Sequence, residues 1–168
     1  MVSLKRAVRT LSFVIAFAAG IPLAGPAGGV LWFEPGHESG GARGVQGAVD
    51  EFFSADNGND IDRLAGLFEE DGVWLPPTGE VVAGRHAISA WYRARHVRWA
   101  PALSASVLDL RVEKTSAVVH GAARGSLVPA SGGPSVAVDD RFVMILSRDT
   151  RNSWKVTRLL WRHGAPAT

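Results

Sequence analysis

The apolar residues of this chain follow a helical period first and a strand period afterwards. From Val45 to Ala55 the residues Val49, Phe52 and Phe53 share one helical face. Asn57-Gly58-Asn59 breaks that pattern, and Asp60 can cap a second helix predicted to run through Glu70, with Ile61, Leu64, Leu67 and Phe68 as its stripe. Val73-Trp74-Leu75 is a short strand stopped by Pro76-Pro77, and Thr78-Gly79 turns the chain into Val81-Val82. Gly84 opens a third helix, from His86 to about Val97, with Ile88, Trp91 and Tyr92 facing inward. The period then falls to two over Leu103–Glu113, Ala117–Val128, Val136–Ser147 and Trp154–His163, with Ser131-Gly132-Gly133-Pro134 as a hairpin loop. Helices followed by a long meander predict an α+β domain, with three N-terminal helices packed on one face of a curved antiparallel sheet.

The first 44 residues follow neither pattern. Lys5, Arg6 and Arg9 precede the apolar run from Leu11 to Ala19, which is the layout of a secretory signal peptide. Gly25 and Ala27 suit cleavage after Ala27. The uncharged stretch from Leu11 to Phe33 is also long enough to be an uncleaved membrane anchor, although Pro22, Pro26 and several glycines make it a poor continuous helix. A buried core helix is a third reading. Under either of the first two, the rest of the chain is exported: periplasmic, secreted or anchored facing outside the cytoplasm. Residues 1–33 are therefore expected to be a signal peptide or anchor, residues 34–44 a flexible linker rich in Gly and Pro, and residues 45–164 the domain.

Charge narrows the partners. The formal net charge is +2, but four of the 18 Lys+Arg and two of the 16 Asp+Glu lie before Gly44. The domain is thus neutral, and Arg93, Arg95 and Arg98 are explained by a helix C-terminus, so no nucleic-acid surface is expected. There is no cysteine, which excludes disulfides, thiolate metal sites and a cysteine nucleophile. His37, His86, His96, His120 and His163 lack metal-ligand spacing, and no phosphate loop is present, so the sequence implies no metal and no cofactor.

Several segments together resemble a known superfamily: Asn59-Asp60, Leu67-Phe68-Glu69-Glu70-Asp71-Gly72-Val73, Pro77-Thr78-Gly79, Val82-Ala83-Gly84-Arg85, Ala87-Ile88 before Trp91, and Ser153-Trp154-Lys155-Val156 before Trp161. Over about residues 45–163 the chain resembles the nuclear transport factor 2-like superfamily, in its SnoaL-like and ketosteroid-isomerase-like branches. The resemblance implies a cone-shaped half-barrel with a conical pocket between helices and sheet. Phe52, Trp74, Trp91, Tyr92, Phe142, Met144 and Trp161 are the candidate ligand-binding residues, and each is also an ordinary core residue. Carried over from the isomerases, the catalytic tyrosine position is Phe52 and the base position is Pro76, neither of which can do that chemistry. The last acid position is kept at Asp140, and Tyr92 matches a supporting tyrosine.

Another polar set is open to this chain. A period of two puts Val118, His120, Ala122, Arg124 and Ser126 on one face, and Val138, Asp140, Phe142 and Met144 on one face of the next strand. If both faces are concave, Asp140, His120 and Arg124 converge as catalytic candidates. Arg with Asp can hold a water, as in epoxide hydrolases of the superfamily, and His with Asp can act as a base. The plain alternative is a cross-strand Arg124–Asp140 ion pair.

The functional expectation is an exported domain that binds a small apolar molecule, with weak hydrolase or isomerase activity open. The alternative is a non-catalytic membrane-tethered scaffold or protein-binding module, since such a fold does not dictate function. The membrane is a partner only through an uncleaved leader. A homodimer is expected, with Val119, Leu127, Val143 and Ile145 on the outer sheet face.

Overall fold

The structure, a computed structural model, describes residues 39–164. The expected leader, its cleavage site and residues 34–38 of the expected linker lie outside the described residues. Residues 39–44 are not linker but the opening of helix α1, Ser39–Asn57. Its stripe Val45, Val49, Phe52 and Phe53 is fully buried. Asn57 ends it and clamps the sheet: its side chain donates to the Leu103 carbonyl (2.7 Å) and accepts from the Leu103 N–H (2.9 Å).

Helix α2, Ile61–Gly66, starts at Asp60, whose carboxylate accepts from the Arg63 N–H at 3.1 Å. It stops four residues short of the expected Glu70, because the chain from Phe68 on is claimed by the sheet. The Leu67 carbonyl accepts from Val156 N–H (2.8 Å), and the Phe68 carbonyl accepts from the Arg85 guanidinium (3.0 and 2.7 Å). Strand β1 therefore covers Phe68–Leu75, followed by β2, Val82–Ala83. Helix α3, Arg85–Arg98, follows Gly84, whose φ of 89° suits glycine.

Four long strands complete the domain: β3, Trp99–Val112; β4, Ser116–Pro129; β5, Val136–Arg148; and β6, Trp154–His163. The order is β2-β1-β6-β5-β4-β3 in one curved, unclosed sheet. The sheet is mixed rather than antiparallel, because β1 lies parallel to β6. That position pairs β1, which directly follows α2, with the edge of β6 that β5 leaves open.

The register settles which side chains point inward. Ala117, Val119, Gly121 and Ala123 of β4 oppose Leu146, Met144, Phe142 and Asp140 of β5. Both rows are buried against the helices. The phase expected for β5 holds, whereas that for β4 is reversed: Val118, His120 and Arg124 face outward and are exposed. Of the four residues expected on the outer face, Val143 and Ile145 are there, joined by Val118 and Leu160. Val119 is in the core instead, and Leu127 lines the concave side.

Candidate functional site

A cavity of about 290 Å³ opens between the C-terminal part of α3 and the concave side of the sheet, near the low end for small-molecule sites. Its wall is mainly aromatic. Trp74 from β1, Trp91 and Tyr92 from α3, Trp99 from β3 and Trp161 from β6 line it, with Leu103, Leu127 and Val138. Trp74 packs edge-on against Trp91 (centroids 5.5 Å apart) and Trp161 (5.8 Å), and lies nearly parallel to Tyr92 at 5.9 Å. Such ring pairs hold one another in place and leave a rigid, apolar surface.

Of the seven residues expected to bind ligand, the cavity wall includes Trp74, Trp91, Tyr92 and Trp161. Phe52, Phe142 and Met144 are not in the wall; they are buried in the core. Phe142 lies under Trp161, ring on ring at 5.5 Å, and Phe52 touches Phe53, Phe68 and Tyr92. They fill the space that would otherwise deepen the cavity.

Asp140 lies in the wall and is the most elaborately held polar group there. Its side chain is 9% exposed. The Trp161 indole N–H donates to it (2.8 Å), as does the Gly164 backbone N–H (3.3 Å). His163 places Nδ1 3.1 Å from one carboxylate oxygen and 3.3 Å from the other. A carboxylate only accepts, so Nδ1 is the donor, and in the neutral imidazole Nε2 then keeps the lone pair. The His163 side chain is 74% exposed and lines the cavity. This is an oriented Asp–His dyad at the cavity edge.

The two other catalytic candidates are not brought to Asp140. His120 and Arg124 stand on the outer face of the sheet, and Arg124 pairs with Asp139 at 3.2 Å. Asp139 also accepts from Arg141 at 2.8 Å, and that bond holds its carboxyl below the usual carboxylate range, with Arg124 adding a smaller pull. The expected Arg124–Asp140 pair therefore exists one residue over. Period-two reasoning places side chains correctly only if the phase is right, and the phase of β4 is set by Gly121 beneath Phe142.

His163 was legible in the sequence as the residue two beyond Trp161 on the same strand, hence on the same face. A second polar group was legible too. Asp56 follows Val49, Phe52 and Phe53 on the stripe of α1, and Arg95 follows Trp91 and Tyr92 on that of α3. Asp56 is 2% exposed and reaches the cavity wall, where one oxygen accepts from Arg95 (2.8 Å) and lies 2.9 Å from His96 Nε2. A buried carboxylate needs such partners. Tyr92 sits beside this cluster. Burial pushes its phenol well above the ordinary range, the Asp56 charge adds to the shift, and Arg95 opposes it. Among the described residues no group of three or more His, Asp and Glu is placed to hold a metal ion.

Comparisons with known proteins agree with the fold. The family described as SnoaL-like domain matches residues 49–151. No curated protein matches the chain. Among solved structures, a ketosteroid isomerase-like protein from Erwinia carotovora atroseptica is 17% identical, with a TM-score of 0.69 over 74% of this chain and 96% of its own. A conserved protein from Planctomyces limnophilus is 18% identical, with a TM-score of 0.68 over 74% and 98%. A candidate scytalone dehydratase from Novosphingobium aromaticivorans is 16% identical, with a TM-score of 0.65 over 74% and 85%. At these identities the likeness is one of fold.

Proposed function

We propose, from the premise that this chain belongs to the SnoaL-like domain family, that its cavity binds a small, largely apolar molecule and that the Asp140–His163 dyad moves a proton on it. The observation that carries this reading is the dyad itself. A buried carboxylate fixes one imidazole nitrogen, and the other is directed away with its lone pair free, beside an aromatic cavity. In that arrangement His163 Nε2 takes a proton from the bound molecule, and Asp140 balances the imidazolium that results. Trp161 and Gly164 keep the carboxylate aimed at the ring. Proton removal and return at a different atom is isomerisation; proton removal followed by loss of water is dehydration. The candidate dehydratase and isomerase-like protein that share the fold support this class of chemistry. The apolar leader supports export as the setting, which fractionation of cells expressing the full chain would check.

The test has two steps. A thermal-shift screen of small metabolites should find ligands that raise the melting temperature, since binding only the native state stabilises it. Hits are then incubated with the protein in heavy water and followed by NMR for deuterium incorporation. Asp140→Asn and His163→Gln should each slow incorporation by about 100-fold or more. Exchange unchanged in both variants refutes the dyad; no stabilising ligand at all refutes the pocket.

A further inference from the structure

The hydrogen-bonding groups of the cavity wall are unequally satisfied. Both carboxylates are already served: Asp56 by Arg95 and His96, Asp140 by Trp161, His163 and Gly164. The Trp91 indole N–H is taken by Glu80. The donors left over include three with consequences for binding. Trp74 Nε1 is buried and has no partner. The Tyr92 hydroxyl belongs to a buried ring and has no hydrogen-bond partner among the described residues. Arg98, one turn beyond Arg95, lines the cavity with no ion pair or side-chain hydrogen bond among the described residues.

Buried polar groups are normally paired, and an orphaned donor asks for an acceptor from outside the protein. Of the groups in the wall, Arg98 only donates, whereas His163 Nε2 offers the lone pair that serves the proton step. A ligand with an acceptor at the Arg98 end completes that part of the wall. Arg98 adds a formal charge and a planar fork that matches a carboxylate. The five aromatic rings call for a flat apolar body behind that charge.

We propose that the cavity is specific for an aromatic carboxylate, with its anion held by Arg98 at the rim and its ring against Trp74, Trp91 and Trp161. The Tyr92 hydroxyl then serves an oxygen substituent at the buried end. This assignment rests on the reading of the cavity as a small-molecule site. It adds the class of molecule.

Calorimetric titration of the full chain with 2-naphthoate and with its neutral isostere 2-naphthamide tests it. The acid should bind roughly tenfold tighter than the amide. Added salt should shrink that ratio, because Arg98 is partly in solvent. Arg98→Gln should abolish the ratio while leaving 2-naphthamide binding as it was. Equal binding of the two probes by the wild-type protein, or a preference that survives in Arg98→Gln, overturns the carboxylate assignment and leaves the cavity reading intact. Binding of neither probe removes both.

Discussion

Gly121→Ala should destabilise this domain by about 2 kcal/mol and disturb the cavity through the core. Gly121 has no positive φ, so its backbone would accept alanine. The obstacle is space. A Cβ built on it would lie 2.5 Å from Phe142 Cε1 and 2.8 Å from Cε2, with Cζ closer still. Carbon atoms rest about 3.5–4.0 Å apart, so the ring must move by an ångström or more. It has nowhere to go: Phe142 is 1% exposed, with Phe53 (5.6 Å) and Trp161 (5.5 Å) around it. Overpacking of this kind costs about 1–3 kcal/mol, and the lower entropy of an unfolded alanine returns about 0.4–1 kcal/mol. Urea denaturation followed by tryptophan fluorescence measures the difference. A double-mutant cycle with Phe142→Leu isolates the cause: the double variant should be more stable than the sum of the single effects by about 1 kcal/mol or more. Additivity within about 0.5 kcal/mol would refute the clash. Trp161 both stacks on Phe142 and donates to Asp140, so the alanine should also weaken the dyad's grip.

Three further outcomes are expected. Tyr92 is the chain's single tyrosine, so tyrosinate absorbance reports it alone. Its folded pKa is raised, so its contribution to stability is complete below about pH 10 and is lost as pH rises further; tyrosinate should appear only together with unfolding. Tyrosinate near pH 10 with intact circular dichroism contradicts that. His120→Ala and Arg124→Ala should leave binding of any cavity ligand within twofold, because both side chains are on the outer face; a larger loss means the face assignment is wrong. Val118, Val143, Ile145 and Leu160 on that outer face support pairing of two copies, and sedimentation at micromolar concentration should show a dimer that Val143→Glu reduces to monomer.

Much of the fold was legible in the sequence because each element carries its own period. The stripe Val45, Val49, Phe52, Phe53 marks α1, and Ile88, Trp91, Tyr92 mark α3. Trp154–His163 is delimited by turn residues at one end and loss of alternation at the other. The failures have a common cause: they depend on partners distant in sequence. Phe68 continues a helical pattern locally, but Arg85 and Val156 take it into the sheet. The parallel pairing of β1 leaves no local trace. On β4 the inward row holds Ala117, Gly121 and Ala123, smaller than the outward Val118, His120 and Arg124, so size alone points the wrong way. The small residues are there to accommodate Phe142. Asp140 was legible from its phase with Phe142 and Met144. Its true partner, His163, depends on the β5–β6 register, which places the two residues opposite each other.

The parallel β1–β6 pair also sets the order in which the domain can assemble. Lys155 reaches back 89 residues to the Gly66 carbonyl, and Leu159 sits beside Trp74. The meander from β3 to β6 can zip hairpin by hairpin, whereas β1 must wait for β6 before it gains this neighbour. Closing so large a loop is slow, and it leaves Trp74 and Phe68 without their final surroundings until late in folding. A nascent chain emerging helix-first would therefore leave its aromatic wall unfinished until β6 is made.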